Sequence, residues 1–391
     1  MKMEKNGEIE NKLYSLYFNI AGGQCSKRAL NMARRHSSPK ESYEAARRKE
    51  FPADFDENDK AAFSDLSLGK AYNMLEYCEA KNIEIITYFD KKYPRLLKEI
   101  TFPPLMLFVK GRLPDTYENP SISVIGTRNC TDGGRLMAAK ITYTLSEYGF
   151  IVVSGMARGI DTYAHKGCML SKKSPTVAVL ANSVESIYPK ENEELYNLIC
   201  SNGAVISEIM PGQNLGKYAF HLRNRIISAI TYGTLVVESQ ISGGSMITVS
   251  HAIEQNKMIF AVPGPINLPQ SSGTNDLIKK GAGIALCAQD IIDEYNYLFK
   301  DKIKTIDRQE RKKNILKKKA DAEKDKTESL KNLGKDEKKI YVLLEDKPLS
   351  PDLLCEKTGL KIFEIVNILQ KLELDGYIEA IRGGYYKIKQ K

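Results

Sequence analysis

Strand–helix alternation through the middle of the chain predicts an α/β fold on a doubly wound, mostly parallel sheet, with a helical region before it and a winged-helix layout after it. Three observations carry this reading. Between Ser121 and Leu286, seven short β-rich runs alternate with helical patterns. Residues 1 to about 90 show mainly helical periodicity, and near the C-terminus three helix-like patterns are closed by a glycine-centred hairpin. The β-branched runs are continuous rather than alternating, which marks strands covered on both faces; ligands of such sheets sit at the strand carboxyl ends.

In the first region Leu13–Ile20 is apolar at helical period, Gly22–Gly23 follows, a basic helix runs through Arg28–Arg35, and a longer helical pattern covers Leu66–Lys81. A Gly-Gly between short helices is either a backbone-binding DNA hairpin or a connector between packed helices. Ile83–Tyr88 reads as a strand, Tyr93–Leu97 with Pro103–Pro104 as a tether, and Gly111–Pro120 as a boundary. Residues 1–110 are therefore expected to form a helical N-terminal domain, SAM-like or helix-hairpin-helix-like, with its tether.

Residues 111–298 carry the sheet. Its expected strands are Ile122–Ile125, Ile151–Val153, Thr176–Leu180, Ala204–Ile206, Leu235–Val237, Met258–Val262 and Ile284–Leu286, with helices at 135–148, 162–171, 191–202, 223–232 and 246–256. Residues 299–335 read as a solvated basic linker, and 336–391 as the winged-helix unit. Its helices fall at 337–345, 351–358 and 361–374, the second behind an N-cap at Ser350 and a first-turn proline; Arg382–Gly383–Gly384 turns the hairpin. The third helix carries Lys361 and Lys371 against Glu364 and Glu373, which favours protein contact or dimer support over base readout.

The bulk numbers set limits on function. The 391 residues, 42% of them hydrophobic, suffice for two or three domains. No apolar run approaches the ~18–20 residues of a membrane span, and the charged N-terminus lacks a signal-peptide core, so a cytoplasmic protein is expected. Seven scattered cysteines without a C-x-x-C pair argue against a disulfide framework or a zinc site. The net charge of +9 suggests a polyanionic partner, yet Lys300–Lys339 alone holds 16 Lys/Arg against 9 Asp/Glu. A nucleic-acid site in the folded core must therefore be argued from local loops.

Four loops at strand carboxyl ends share one chemistry. Gly126–Thr127–Arg128 follows the first strand, before Thr131, Asp132 and Gly133–Gly134; with Arg128 in the second glycine position this is not G-x-G-x-x-G, and an arginine there would hold a phosphate from the side. Ser154–Asp161 follows the second, offering Ser154, Gly155, Arg158 and Gly159. Ser239–Ser245, with Gly243, Gly244 and Ser245 at a helix start, suits an anion. Val262–Pro265 leads to a polar loop at Ser271–Asn275, including Gly273, before a helix at Asp276–Lys280. Tyr188–Pro189–Lys190 adds an aromatic and a cation. Arg223–Asn224–Arg225 sets two cations at a helix start, against the helix dipole, where a ligand phosphate could offset the cost. The alternative is that one of these arginines pairs with Glu208, Glu238 or Asp161.

In their order and spacing, Gly126–Arg128, Ser154–Asp161 with Ala164–His165, Tyr188–Lys190, Ser207–Glu208, Arg223–Ile227, Val236–Glu238, Ser242–Gly243 with Ser245, Val262–Gly264, and Leu277–Ile278 with Gly281–Ala282 resemble the DNA-processing protein A family (DprA, also called Smf). The resemblance covers residues 83–286. It implies an extended Rossmann-like domain between a helical N-terminal domain and a winged helix, single-stranded DNA bound at a phosphate pocket, a homodimer, and loading of RecA during natural transformation. Where the family has glycines after the third strand, this chain has Ala181–Asn182–Ser183–Val184, a bulkier loop.

The expected DNA-contacting residues are accordingly Gly126, Thr127, Arg128, Ser154, Gly155, Arg158, Gly159, Lys190, Arg223, Asn224, Arg225, Gly243, Ser245 and Gly273. Tyr188, Tyr218 and Phe220 are candidates for base stacking, since the chain has no tryptophan. Asp161, His165, Glu208 and Glu238 are read as structural support; Arg158 has the alternative role of a strut fixing Asp161. No cofactor is expected. The rival reading is a nucleotide phosphoribohydrolase-like enzyme on the same scaffold. Against it, the 238–248 segment lacks the trailing glutamate of that family's P-G-G-x-G-T-x-x-E loop, and His165 has no nucleophile beside it.

Overall fold

Every residue of Ser121–Ile125, Ile151–Ser154, Thr176–Val179, Ala204–Ser207 and Gly233–Val236 is buried, as strands must be when helices cover both faces. The computed structural model describes residues 2–299 except 65, 66, 214 and 217, residues 302 and 303, and residues 333–388 except 347 and 382–384. The chain divides into two units, 1–305 and 306–391.

Unit 1 opens with five helices: α1 (Lys2–Ala21), α2 (Lys27–Ala33), α3 (Pro39–Arg47), α4 (Glu57–Ser64) and α5 (Gly69–Ala80). Ser26 and Ser38 cap α2 and α3, and Pro39 opens the latter. Leu16, Tyr17, Phe18 and Phe63 form a core with Ile83, Ile85, Met106 and Phe108, so the helices pack on the edge of the sheet. That edge is β1 (Glu84–Thr87) and β2 (Met106–Gly111), separated by α6 (Arg95–Lys98). The expected boundary at 110/111 thus falls at the end of a strand that belongs to the sheet.

The nine-stranded sheet continues with β3 (Ser121–Ile125), β4 (Ile151–Ser154), β5 (Thr176–Val179), β6 (Ala204–Ser207), β7 (Gly233–Val236), β8 (Met258–Ala261) and β9 (Gly283–Ile284), in the order β1-β2-β6-β5-β4-β3-β7-β8-β9. From β6 to β9 neighbours are parallel; β2 is antiparallel to β6 and β1 to β2. The crossovers are α7 (Asp132–Glu147), α8 (Ile160–Ser171), α9 (Glu193–Asn202), α10 (Tyr218–Ala229), α11 (Ser245–Glu254) and α12 (Pro269–Lys279), and α13 (Ala288–Tyr295) follows β9. From β3 the chain runs outward one way through β4, β5 and β6, then returns to lay β7 on the other side of β3. The carboxyl ends of β3 and β7 are therefore the switch point at which ligands of open α/β sheets bind.

Two expected features shift. The fourth strand-end loop is shorter than read, because Pro269 starts α12 and Ser271–Asn275 lies inside that helix. The α10 helix starts at Tyr218, so Arg223 and Arg225 sit more than a turn inside it and do not oppose its dipole.

Unit 2 has helices at Lys335–Asp346, Pro351–Thr358 and Ile362–Leu374 and an antiparallel hairpin of Ile378–Ile381 with Tyr385–Ile388, a winged-helix layout. Ile340, Leu344, Leu354, Ile365, Leu369 and Leu372 fill its core. The linker at 304–332 and the glycine turn at 382–384 lie outside the described residues.

Candidate nucleic-acid interface

A cleft of about 620 Å³ opens at the switch point, between the loops after β3 and β7 and the first turns of α10 and α11. Glycine sets its shape. A Cβ on Gly126 would stand 2.5 Å from the Ile160 side chain and 2.8 Å from the Glu238 carbonyl, so the backbone passes where only glycine fits. Gly159, at φ +78°, would collide with the Thr127 carbonyl at 2.3 Å.

Of the helices that begin around this cleft, two already hold a carboxylate. Glu238 accepts from the backbone N–H (2.9 Å) and hydroxyl (2.5 Å) of Thr131, the N-cap of α7. Asp161, buried in the first turn of α8, accepts from the N–H of Ala157 (3.4 Å). The α11 helix, like α10 and α12, has no acidic residue in its first turn; it has no side-chain cap, and its N-cap Gly244 and first residue Ser245 line the cleft. The positive end of the α11 dipole thus faces the cleft without a resident anion.

The arginines divide by burial. Arg128 is exposed on the rim with its guanidinium 5.1 Å above the Phe220 ring. Arg223 is only 7% exposed; its Nη1 donates to the carbonyls of Gly155 (2.7 Å) and Val179 (2.5 Å). Burial draws its guanidinium down to about 10, against the pull of Asp161, with Arg128 adding to the depression. Burial raises Asp161 in turn, opposed first by Arg223. Arg223 is therefore a floor residue that ties β5 to the β4 loop, and Asn224 accepts from its Nε at 3.2 Å. Arg225 lies away from the cleft: its Nη2 donates to both oxygens of buried Glu208 at 2.8 Å, and its guanidinium lies 4.5 Å from the centre of the Phe102 ring.

Several expected contacts take other roles. Ser154 is fully buried and donates to the Val124 carbonyl at 2.7 Å, joining β4 to β3. Arg158 neither fixes Asp161 nor stands alone, since it pairs with Glu191, Nη2 to Oε2 at 3.0 Å. Gly155 is a glycine because a Cβ would sit 2.4 Å from Arg223 Nη1. Gly273 packs α12 onto the Ser239 and Gln240 carbonyls, each 2.7 Å from its would-be Cβ. His165 holds no loop: its buried Nδ1 bonds Thr176 Oγ1 (2.8 Å) in β5. Gly243 and Ser245 do line the cleft, and Ser245 Oγ also bonds Ser239 Oγ at 2.7 Å.

Beside the cleft a smaller recess of about 120 Å³ is lined by Tyr188, Phe220, Arg158, Asn182 and Arg128. The Tyr188 and Phe220 rings meet edge to face at 6.2 Å. Lys190 and Tyr218 are exposed nearby but line neither space. Asn129 and Gln240 also line the cleft and were absent from the expected set; only adjacency to Arg128 and to Gly243 could have signalled them. In the Gly22–Gly23 turn, Gly22 faces inward and Gly23 is exposed. Gly22 packs on Phe63 and Ala29, and Gln24 Oε1 accepts from the N–H of Met210 at 2.7 Å, so this side of the turn connects packed elements.

The profile described as DNA recombination-mediator protein A matches residues 84–296, and that of the DprA winged helix domain matches residues 324–384. The chain belongs to the DNA recombination-mediator protein A family. Among relatives of this DprA-family chain, Protein Smf of Synechocystis sp. is 31% identical over 340 residues, covering 81% of this chain and 83% of that protein. The DNA processing protein DprA of Bacillus subtilis is 36% identical over 214 residues, 55% of this chain and 72% of that protein. DprA from Streptococcus pneumoniae superposes with a TM-score of 0.56 at 29% identity, covering 71% of this chain and 95% of that one. DprA from Helicobacter pylori, whose structure concerns its single-stranded DNA binding mode, gives 0.50 at 27%, with 56% and 97% covered. The DprA match begins at Glu84, the first residue of β1, in agreement with the extent of the sheet. Among the described residues no helix is long and apolar enough to cross a membrane, and no three His, Cys, Asp or Glu side chains group as a metal site.

Proposed function

We propose that this chain is a cytoplasmic recombination mediator that binds single-stranded DNA along the switch-point cleft. Phosphates lie against Arg128, Lys190 and the α11 N-terminus, and bases against Phe220 and Tyr188. The observation that carries the reading is the α11 N-terminus, which holds no carboxylate and opens beside an exposed arginine and an aromatic ring. The Helicobacter pylori relative, whose structure concerns its single-stranded DNA binding mode, supports it. Sequence-specific readout would need base-edge contacts, whereas a phosphate grip with stacking rings serves any strand. The finer steps, assembly as a homodimer and handing the strand to RecA in transformation, rest on the family resemblance.

Titration of labelled oligo-dT and of a duplex of equal length across salt tests the reading. Tighter single-strand binding that weakens linearly in log salt is expected. No complex with oligo-dT at low salt overturns it.

The non-enzymatic part of the proposal is supported by where the acid–base groups sit. Glu238 and Asp161 already accept hydrogen bonds at helix starts, and His165 is buried against β5. Release of free base from AMP by the purified protein would contradict it.

A further inference from the structure

A second set of cations lies on the N-terminal helices, outside the cleft. Lys27, Asn31 and Arg34 are spaced four and three residues apart, so they share the side of α2 opposite its buried Ala29, Leu30, Met32 and Ala33. Lys27 stands 5.7 Å from the centre of the Phe102 ring, whose other contact is Arg225 at 4.5 Å. Arg34 stands 4.6 Å from the Tyr88 ring centre, and Lys98 of α6 stands 4.8 Å from the same ring.

One cation suffices to cover a ring; a second on the same ring is repelled by the first. Burial lowers Lys98 and Arg34 lowers it further, opposed by Asp90. Asp90 itself is turned inward, accepting from the Thr87 N–H at 2.6 Å. Among the described residues none of Lys27, Arg34 and Lys98 lies within ion-pairing distance of a carboxylate. The neighbouring Arg28 is paired with Asp59, and Arg35 donates to the Glu50 carbonyl.

The strip joins the cleft. Cys25, two residues before Lys27, packs in the same small apolar cluster as Phe220, which lines the cleft. Phe220 and Arg225, the residue beneath Phe102, are five residues apart on α10, roughly 7.5 Å along its axis.

We propose that single-stranded DNA leaving the cleft past Phe220 continues across Lys27, Arg34 and Lys98, so that the N-terminal helices form the second half of the binding track. This rests on the single-strand reading of the cleft. The ligand is the phosphate backbone, since cations seated on Phe102 and Tyr88 offer positive charge but no base-edge code.

The test uses the full chain with Lys27→Gln, Arg34→Gln and Lys98→Gln combined, and separately Asn31→Asp, which adds a negative charge to the strip without touching a ring. Anisotropy titrations use a short probe, dT6, and a long one, dT25. For both variants, dT6 affinity within about twofold of wild type and dT25 affinity reduced tenfold or more are expected. The triple variant should lose about 2 from the log–log salt slope on dT25, at roughly 0.7 per phosphate contact. Unchanged dT25 affinity and slope in both variants overturns the track and leaves the strip to an acidic protein partner. Failure of wild type to bind either oligonucleotide is a failure of the cleft reading itself, and equal loss on dT6 and dT25 contradicts a track separate from the cleft.

Discussion

Arg223 and Arg225 stand two residues apart on α10 and do different work, which the sequence presents only as a choice. It names Glu208 as one possible partner, but burial decides which arginine takes it. Arg225 and Glu208 are each 7% exposed in their side chains, so removing one leaves the other as an uncompensated buried charge. Arg225→Met is expected to cost about 3–5 kcal/mol in urea unfolding, and Arg225→Met with Glu208→Leu to recover most of that. A double variant no more stable than the single one contradicts a paired role. His165 gives a pH signature. Burial, reinforced by Arg223, holds its imidazole down at about 3, and its Nε2 has no hydrogen-bond partner. The folded value lies below the ordinary one near 6.5, so between the two the unfolded chain binds a proton that the fold refuses. Stability from this group is complete above about pH 6.5 and declines as pH falls toward about 3, by up to about 1.4 kcal/mol per unit. His165→Gln is therefore expected to shrink the loss between pH 7 and pH 5 by about 2 kcal/mol, read from urea midpoints. An unchanged acid loss places the titration elsewhere.

At the scale of elements, the parallel strands β3 to β7 were legible because each is a short, largely β-branched run buried along its whole length. The second strand, Met106–Gly111, was not: it follows Pro103–Pro104, reads as the end of a tether, and becomes a strand through antiparallel pairing to β6. The α12 start was hidden by polar residues at 270–275 that resemble a loop until Pro269 is recognised as a first-turn proline. Close packing of α7 on α8 depends on Gly167, whose would-be Cβ lies 2.1 Å from Thr142 Oγ1 and 2.3 Å from the Ala139 carbonyl. Gly167→Ala is expected to push the helices apart at a cost of about 1–3 kcal/mol, seen as a lower urea midpoint. An unchanged midpoint shows that this contact can relax. The strand-end loops were recognised as a set, while the division of labour within them was not. Ser154 and Gly273 look like ligand groups in sequence and are packing groups in the fold, because the Val124 carbonyl of β3 takes the Ser154 hydroxyl and the Ser239 and Gln240 carbonyls lie against Gly273.

For the whole molecule, the two units carry different surfaces. In unit 2 the third helix exposes Phe363 (59%) and Leu374 (87%), and Lys371 is paired with Glu337. Such a face suits a protein more than a phosphate backbone, so a chain ending at residue 305 is expected to keep its oligo-dT affinity within about threefold; a loss beyond tenfold assigns unit 2 a DNA role. The cleft at the switch point is the core of the functional reading, with Arg128 on its rim and Lys190 exposed nearby as accessible charges. The most direct measurement is an oligo-dT titration across salt with Arg128→Ala and Lys190→Ala, singly and together. Weaker binding on every sequence is expected, with the log–log salt slope reduced by about 0.7 for each contact removed. Wild-type affinity and slope in the double variant would contradict a cleft that binds single strands.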